Sequence, residues 1–135
     1  MSLAAVAEQS LKNGDPVGAL AQLTQQVRSA PADPKLRVFL FQLLCVLGQW
    51  DRALNQLNVA SGLDAGILAM AQTYGDAVRC EAIRDDVFDG KKSPMIFGQP
   101  DQWLALLIES LLAAGHGEQD RSLQLRATAF EACAS

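Results

Sequence analysis

The chain has 135 residues, of which 50% are hydrophobic and 19% charged, a balance that suits one ordinary globular domain with a sizeable core. Fifteen acidic against eleven basic side chains leave a net charge of −4, which argues against general nucleic-acid binding, where an excess of Lys and Arg must displace counterions. The longest apolar stretches, 38–41 with 43–47 and 103–108, are broken by Gln42 and closed by Glu109, well short of the roughly 20 residues of a membrane span.

No basic region followed by an apolar run marks a secretory signal near the start. Residues 2–12 read as a short helix with Leu3, Val6, Ala7 and Leu11 on one face. Asn13-Gly14-Asp15-Pro16 ends it and opens the next, with Asp15 as N-cap and Pro16 in the first turn. That second helix runs to about Ser29. Asp33-Pro34 repeats the device and opens a third helix over about 34–47. A turn at Gly48-Gln49 leads to a fourth over about 49–60, and Ser61-Gly62-Leu63-Asp64 is a turn with Asp64 as the next cap. The fifth helix is long, about 65–88, with Gly75 weakening it by roughly 1 kcal/mol relative to Ala. Residues 90–99 form the one extended loop. Pro100-Asp101 opens a sixth helix to about Ala114, and Gly115-His116-Gly117 turns into a last one over about 118–133. No segment alternates apolar and polar residues long enough for a strand, so the spacing predicts an all-α chain of about seven helices in antiparallel hairpins.

Two of those hairpins echo each other. Gly14-Asp-Pro-Val-Gly-Ala-Leu-x-x-Leu23 returns as Gly48-Gln-Trp-Asp-Arg-Ala-Leu-x-x-Leu57. The step from Gly14 to Gly48 is the period of the tetratricopeptide repeat, about 34 residues, whose stacked helix pairs bind other proteins. Ala19 and Ala53 take the small position of the second helix, and Leu23 and Leu57 the large one. The copies also depart from the usual pattern. Pro16 stands where Trp50 supplies the aromatic wedge, Gln26 takes a small residue's place, and Phe41 stands where the first helix ordinarily has Gly, so that pair is expected to be wider. Trp50 and Trp103 are expected to be buried, and Leu40, Leu44, Leu54, Leu57, Leu104 and Leu107 to be core. A third copy would start at Ala82, inside the long fifth helix, so the regular array ends there and the last two helices cap it.

Catalytic and metal-binding constellations are absent. His116 is the only histidine and has no ligand-spaced partners. Asp85-Asp-Val-Phe-Asp89-Gly90 begins like a calcium loop, but Val87 and Ile96 occupy positions that need oxygen ligands, so it reads as a solvated acidic helix end. No phosphate-binding glycine loop or nucleophile elbow occurs. Cys45, Cys80 and Cys133 are odd in number and widely spaced, as reduced thiols of a cytoplasmic protein would be. The expectation is therefore a non-enzyme without cofactor or metal, and without nucleic-acid or membrane partners.

The run from Arg37 to Leu57 resembles the hallmark of the ImpE family, also called TagJ or SciE. So do Gln72-Thr-Tyr74, Arg79-Cys-Glu-Ala-Ile-Arg84, Val87-Phe-x-Gly90 and Phe97-Gly-x-Pro-x-x-Trp-Leu-Ala-Leu-Leu107. The resemblance covers nearly the whole chain. It implies a cytoplasmic accessory component of a bacterial type VI secretion system that binds the N-terminal helix of the small sheath subunit, near the ClpV-type unfoldase that recycles the sheath. It also implies that 1–135 is the single tetratricopeptide-like domain of a protein whose family usually continues into a second domain, absent here. The alternative from the repeats alone is a self-associating structural module.

In tetratricopeptide grooves the second, fifth, ninth and twelfth positions of each hairpin's first helix face the ligand. Counting from Pro34, these are Lys35, Val38, Gln42 and Cys45; one repeat period on they are Ala69, Gln72, Asp76 and Arg79. The expected partner-binding set is Lys35, Val38, Gln42, Cys45, Gln72, Asp76 and Arg79, a mixture suited to orienting one amphipathic helix.

Overall fold

A computed structural model describes residues 3–134. The described residues form seven α-helices and no strand: α1 (Leu3–Lys12), α2 (Pro16–Ser29), α3 (Pro34–Val46), α4 (Trp50–Leu63), α5 (Leu68–Phe88), α6 (Gln102–Gly115) and α7 (Gln119–Cys133). A short 3-10 turn, Ala65–Ile67, precedes α5. The fold is an all-α, tetratricopeptide-like arrangement of antiparallel hairpins. Its packing divides the chain into two compact units, Met1–Arg79 and Cys80–Ser135.

In the first unit the caps act as the sequence implies. The Asp15 carboxylate accepts from the Gly18 amide at 2.8 Å, and Asp33 accepts from Lys35 and Leu36 at 2.9 and 3.3 Å. These bonds satisfy helix-end donors that would otherwise lack partners. Asp64 does the same for Gly66 at 2.8 Å, but the expected turn at 61–64 is shorter than the sequence suggests. Helix α4 runs through Ser61 and Gly62 because the Ser61 hydroxyl donates back to the Asn58 carbonyl at 2.9 Å, so nothing breaks the ladder before Asp64.

The repeat register is visible in the backbone. Gly14 donates to Leu11 and Asp15 to Ser10; one period on, Gly48 donates to Cys45 and Gln49 to Leu44. Both glycines have positive φ, 77° and 69°, which closes the helix in a conformation that a side chain would disfavour. The side chains keep register too. Ala19 and Ala53, and Leu23 and Leu57, are wholly buried, and Gln26 and Ala60 are buried as a pair of equivalents. Leu36, Leu40, Leu43, Leu44 and Phe41 of α3 complete one core with Ala7, Val27 and Val78. Leu54 and Trp50 are half-buried against it. Trp50 therefore lies at the edge of the core and not sealed within it, since it is the first residue of α4 and its ring covers the hairpin end. The side chain of Leu3 lies outside the described residues.

The second unit is built differently. Its buried side chains are small: Ser110, Ala113 and Ala129, with Gly90 buried beside them. The loop after α5 bends at Gly90 (φ 71°) and lays its backbone directly on the end of α6. A Cβ at Gly115 would meet the carbonyl oxygens of Gly90 and Asp89 at 2.6 and 2.8 Å. Helices α6 and α7 are pinned by reciprocal serine bonds, each hydroxyl donating to the other residue's carbonyl at 2.8 Å. Trp103 is half-buried, as are Leu104 and Leu107, which therefore do not form the closed core expected of them. Among acidic residues at the end of α5, Asp89 pairs with Lys91 at 2.9 Å and Asp86 with Lys92 at 3.0 Å. The Asp89 hydrogen bond and charge hold the Lys91 ammonium above its ordinary pKa.

The last hairpin closes its turn as the earlier ones do. Gly117 donates to Ala114 and Glu118 to Ala113, and Ser122 donates to Glu118, repeating the bonds of Gly48, Gln49 and Ala53. The offset from Gly48 to Gly117 is two repeat periods and one position more. It carries Ala53 onto Ser122, Ala60 onto Ala129 and Leu57 onto Arg126. Helices α6 and α7 thus repeat the turn geometry of the earlier hairpins, though not their large core residue, after the long α5 and its loop.

Candidate functional site

The seven sequence-derived residues fall on two helices of the first unit. On α3, Lys35 and Gln42 are exposed, while Val38 and Cys45 are half-buried. Burial pushes the Cys45 thiol above its ordinary pKa. On α5, Gln72, Asp76 and Arg79 are all exposed. Exposure answers one question: the polar members are not satisfying one another inside a core. Arg79 pairs with Asp76 one turn earlier at 2.9 Å, a solvent-exposed bridge that orients the guanidinium more than it stabilises the fold.

The three α5 members share one hollow. Gln72, Asp76 and Arg79 line a shallow hollow of about 230 Å³ together with Asn58 and Ser61 of α4. None of Lys35, Val38, Gln42 or Cys45 lines it. The two helices do meet, through Phe41 and Tyr74, whose ring centroids are 6.4 Å apart. Phe41 is buried there and Tyr74 is half exposed. Among the described residues no group of His, Cys, Asp and Glu could hold a metal ion.

A second hollow was not foreseen from the sequence. In the unit Cys80–Ser135 a cavity of about 480 Å³ opens between the end of α5, the loop, α6 and α7. Leu104, Leu107 and Leu111 line it along one side of α6, with Arg126 as its charged member. Its signal was the run of α6 leucines, which reads equally well as core.

The comparisons with known proteins agree with this architecture. The tetratricopeptide repeat family matches residues 10–73, the stretch carrying the two in-register hairpins. Over 133 residues, 97% of the chain, the sequence is 51% identical to the type VI secretion system accessory component TagJ of Pseudomonas aeruginosa. This chain is related to TagJ. It spans 47% of that relative's length, about half, so the match speaks for this part of TagJ alone. The strings that carried the family resemblance, from Arg37 through Leu107, lie within the aligned region, and the resemblance stands. None of the described helices is long and apolar enough to cross a membrane.

Proposed function

We propose that this chain is a non-enzymatic adaptor of a bacterial type VI secretion system, binding the N-terminal helix of the small sheath subunit. In this reading it acts in the cytoplasm beside the ClpV-type unfoldase that recycles the sheath. The observation that carries it is the 51% identity to TagJ over nearly the whole chain. Exposed polar groups on both helices support it: Lys35 and Gln42 on α3, beside the half-buried Val38 and Cys45, and Gln72 with the Asp76–Arg79 pair on α5, are groups that can orient a bound helix.

The test is a titration of a labelled peptide from the sheath subunit's N-terminus. Arg79→Glu places two carboxylates one turn apart and removes the cation, so it should weaken binding, and Gln42→Ala should do so by less. If both variants fold and bind with native affinity, the row does not hold the helix. If the native chain does not bind the peptide at all, the adaptor reading fails. The self-associating module then follows if sedimentation shows concentration-dependent dimers, and the exposed Met95 and Phe97 are the apolar groups it would use.

A further inference from the structure

The third hairpin carries a feature that the first two lack. The same offset that superposes the turns also places Lys35, Val38 and Gln42 onto Leu104, Leu107 and Leu111. Three of the four positions that are mixed and polar on α3 are thus leucine on α6, and the fourth, that of Cys45, is Ala114. They are not sealed in a core: all three are half-buried and line the 480 Å³ cavity. Their i, i+3, i+7 spacing covers about 10 Å of helix, two turns. An elongated apolar strip of that length fits the anchor side chains of a helix laid alongside it.

One group in the cavity wall departs from this apolar character. Arg126 stands where Leu23 and Leu57 are wholly buried in the other copies. Among the described residues its guanidinium makes no hydrogen bond and no ion pair, whereas Arg79, Arg84 and Arg121 each pair with a carboxylate one turn away. An unpaired guanidinium at the edge of an apolar cavity is complementary to a carboxylate that arrives with apolar neighbours.

We infer that the cavity of the third hairpin, walled by Leu104, Leu107, Leu111 and Arg126, is a second binding site, separate from the α3 and α5 row, for an amphipathic helix of a partner protein that carries a carboxylate on the edge of its apolar face. The leucines take the apolar anchors and Arg126 fixes register through the carboxylate. This site stands or falls independently of the sheath-peptide reading, because its residues lie in the other unit and its probe is different.

The test uses two labelled synthetic peptides in an Ala/Lys helical background. Each has Leu at i, i+3 and i+7; one has Glu a turn beyond on the same stripe, the other Gln. The native chain should bind the Glu peptide about fivefold more tightly than its Gln twin, the upper range for a partly exposed ion pair. Arg126→Gln, an exposed substitution that leaves the fold intact, should abolish that preference, and Leu107→Ala should weaken both peptides alike. Arg79→Glu should change neither. Far-UV circular dichroism checks that each variant is folded; Leu111→Ala replaces Leu107→Ala if the latter unfolds. The inference is overturned if neither peptide binds, if the Glu preference survives in Arg126→Gln, or if dodecanoate saturates the cavity while the peptides do not compete for it.

Discussion

Replacing Gly90 by Ala should destabilise the unit Cys80–Ser135 far more than the same change at Gly117. Both glycines have positive φ, 71° and 81°, so both variants carry the cost of a left-handed alanine, about 1–2 kcal/mol. Their surroundings differ. A Cβ at Gly117 meets nothing within 4 Å, whereas one at Gly90 collides with the Leu111 carbonyl oxygen and comes to 2.8 Å of the Gly115 Cα and 2.9 Å of its nitrogen. Those are backbone atoms of α6 and cannot swing aside as a side-chain end would. Forcing the loop off the helix adds a further cost of about 1–3 kcal/mol, typical of overpacking. The expected loss is then about 2–5 kcal/mol for Gly90→Ala against about 1–2 kcal/mol for Gly117→Ala. A unit of this size has on the order of 3–8 kcal/mol in all, so the first change removes a large share. Urea unfolding followed by Trp103 fluorescence in a Trp50→Phe background reads this unit alone. Equal midpoints for the two variants would refute the close-approach argument, leaving only the φ cost.

Two of the helical glycines, Gly75 and Gly115, should respond with opposite signs. Gly75→Ala should stabilise by about 0.5–1 kcal/mol, because its Cβ meets only the mobile end of Arg79 at 3.4 Å and the helix gains propensity. Gly115→Ala should destabilise despite the same gain, because its Cβ comes to 2.6 Å of the Gly90 oxygen; thermal melts of both variants decide it. Ser110→Ala and Ser122→Ala should each cost about 0.5–1.5 kcal/mol, and the double variant less than their sum, since the hydroxyls lie 3.0 Å apart in one cluster; a double-mutant cycle measures the difference. Trp50→Ala should cost about 2–3 kcal/mol, below the range for a sealed aromatic, because the ring is only half-buried; a loss near zero in urea would place it off the core. Cys45 should be the last thiol alkylated as pH rises. Burial raises its pKa and so lowers its thiolate fraction at any given pH, while Cys80 and Cys133 are exposed; mass spectrometry after brief iodoacetamide treatment gives the order.

Much of the first unit was legible because its signals are local. Asp15-Pro16 and Asp33-Pro34 are cap and first-turn residues, and their bonds form within three positions of the cap. The turn glycines are equally local, and the repeat spacing places Ala19, Ala53, Leu23 and Leu57 in the core without any knowledge of tertiary structure. What escaped the sequence depends on distance or on a break in the count. The turn of the last hairpin comes after a long helix and a loop, offset by one position from the repeat period, so a fixed count lands on Ala82 and misses Gly117. The α5 members of the expected row are exposed and gather at a hollow shared with α4 side chains, which a count along the chain does not show. Leu104 and Leu107 read as core on hydropathy, and only tertiary packing decides whether a leucine is covered.

That packing follows from how the second unit achieves close contact. Glycine against glycine at 90 and 115, and serine against serine at 110 and 122, bring backbones together over small residues. Backbones that approach this closely leave no room between them for large side chains, so the apolar bulk of the unit is displaced outward. Phe88, Leu123 and Phe130 are more than half exposed, and Met95 and Phe97 almost fully. The first unit does the reverse, closing large leucines inside and leaving polar groups on its row. Charge divides the same way: residues 1–79 balance six acidic against six basic side chains, while residues 80–135 hold nine against five and carry the whole net charge of −4. Exposed apolar side chains thus coincide with the acidic half of the sequence, and net charge of one sign disfavours association between copies. The second unit's close contacts are therefore made by small residues, and its large apolar residues stand at its surface.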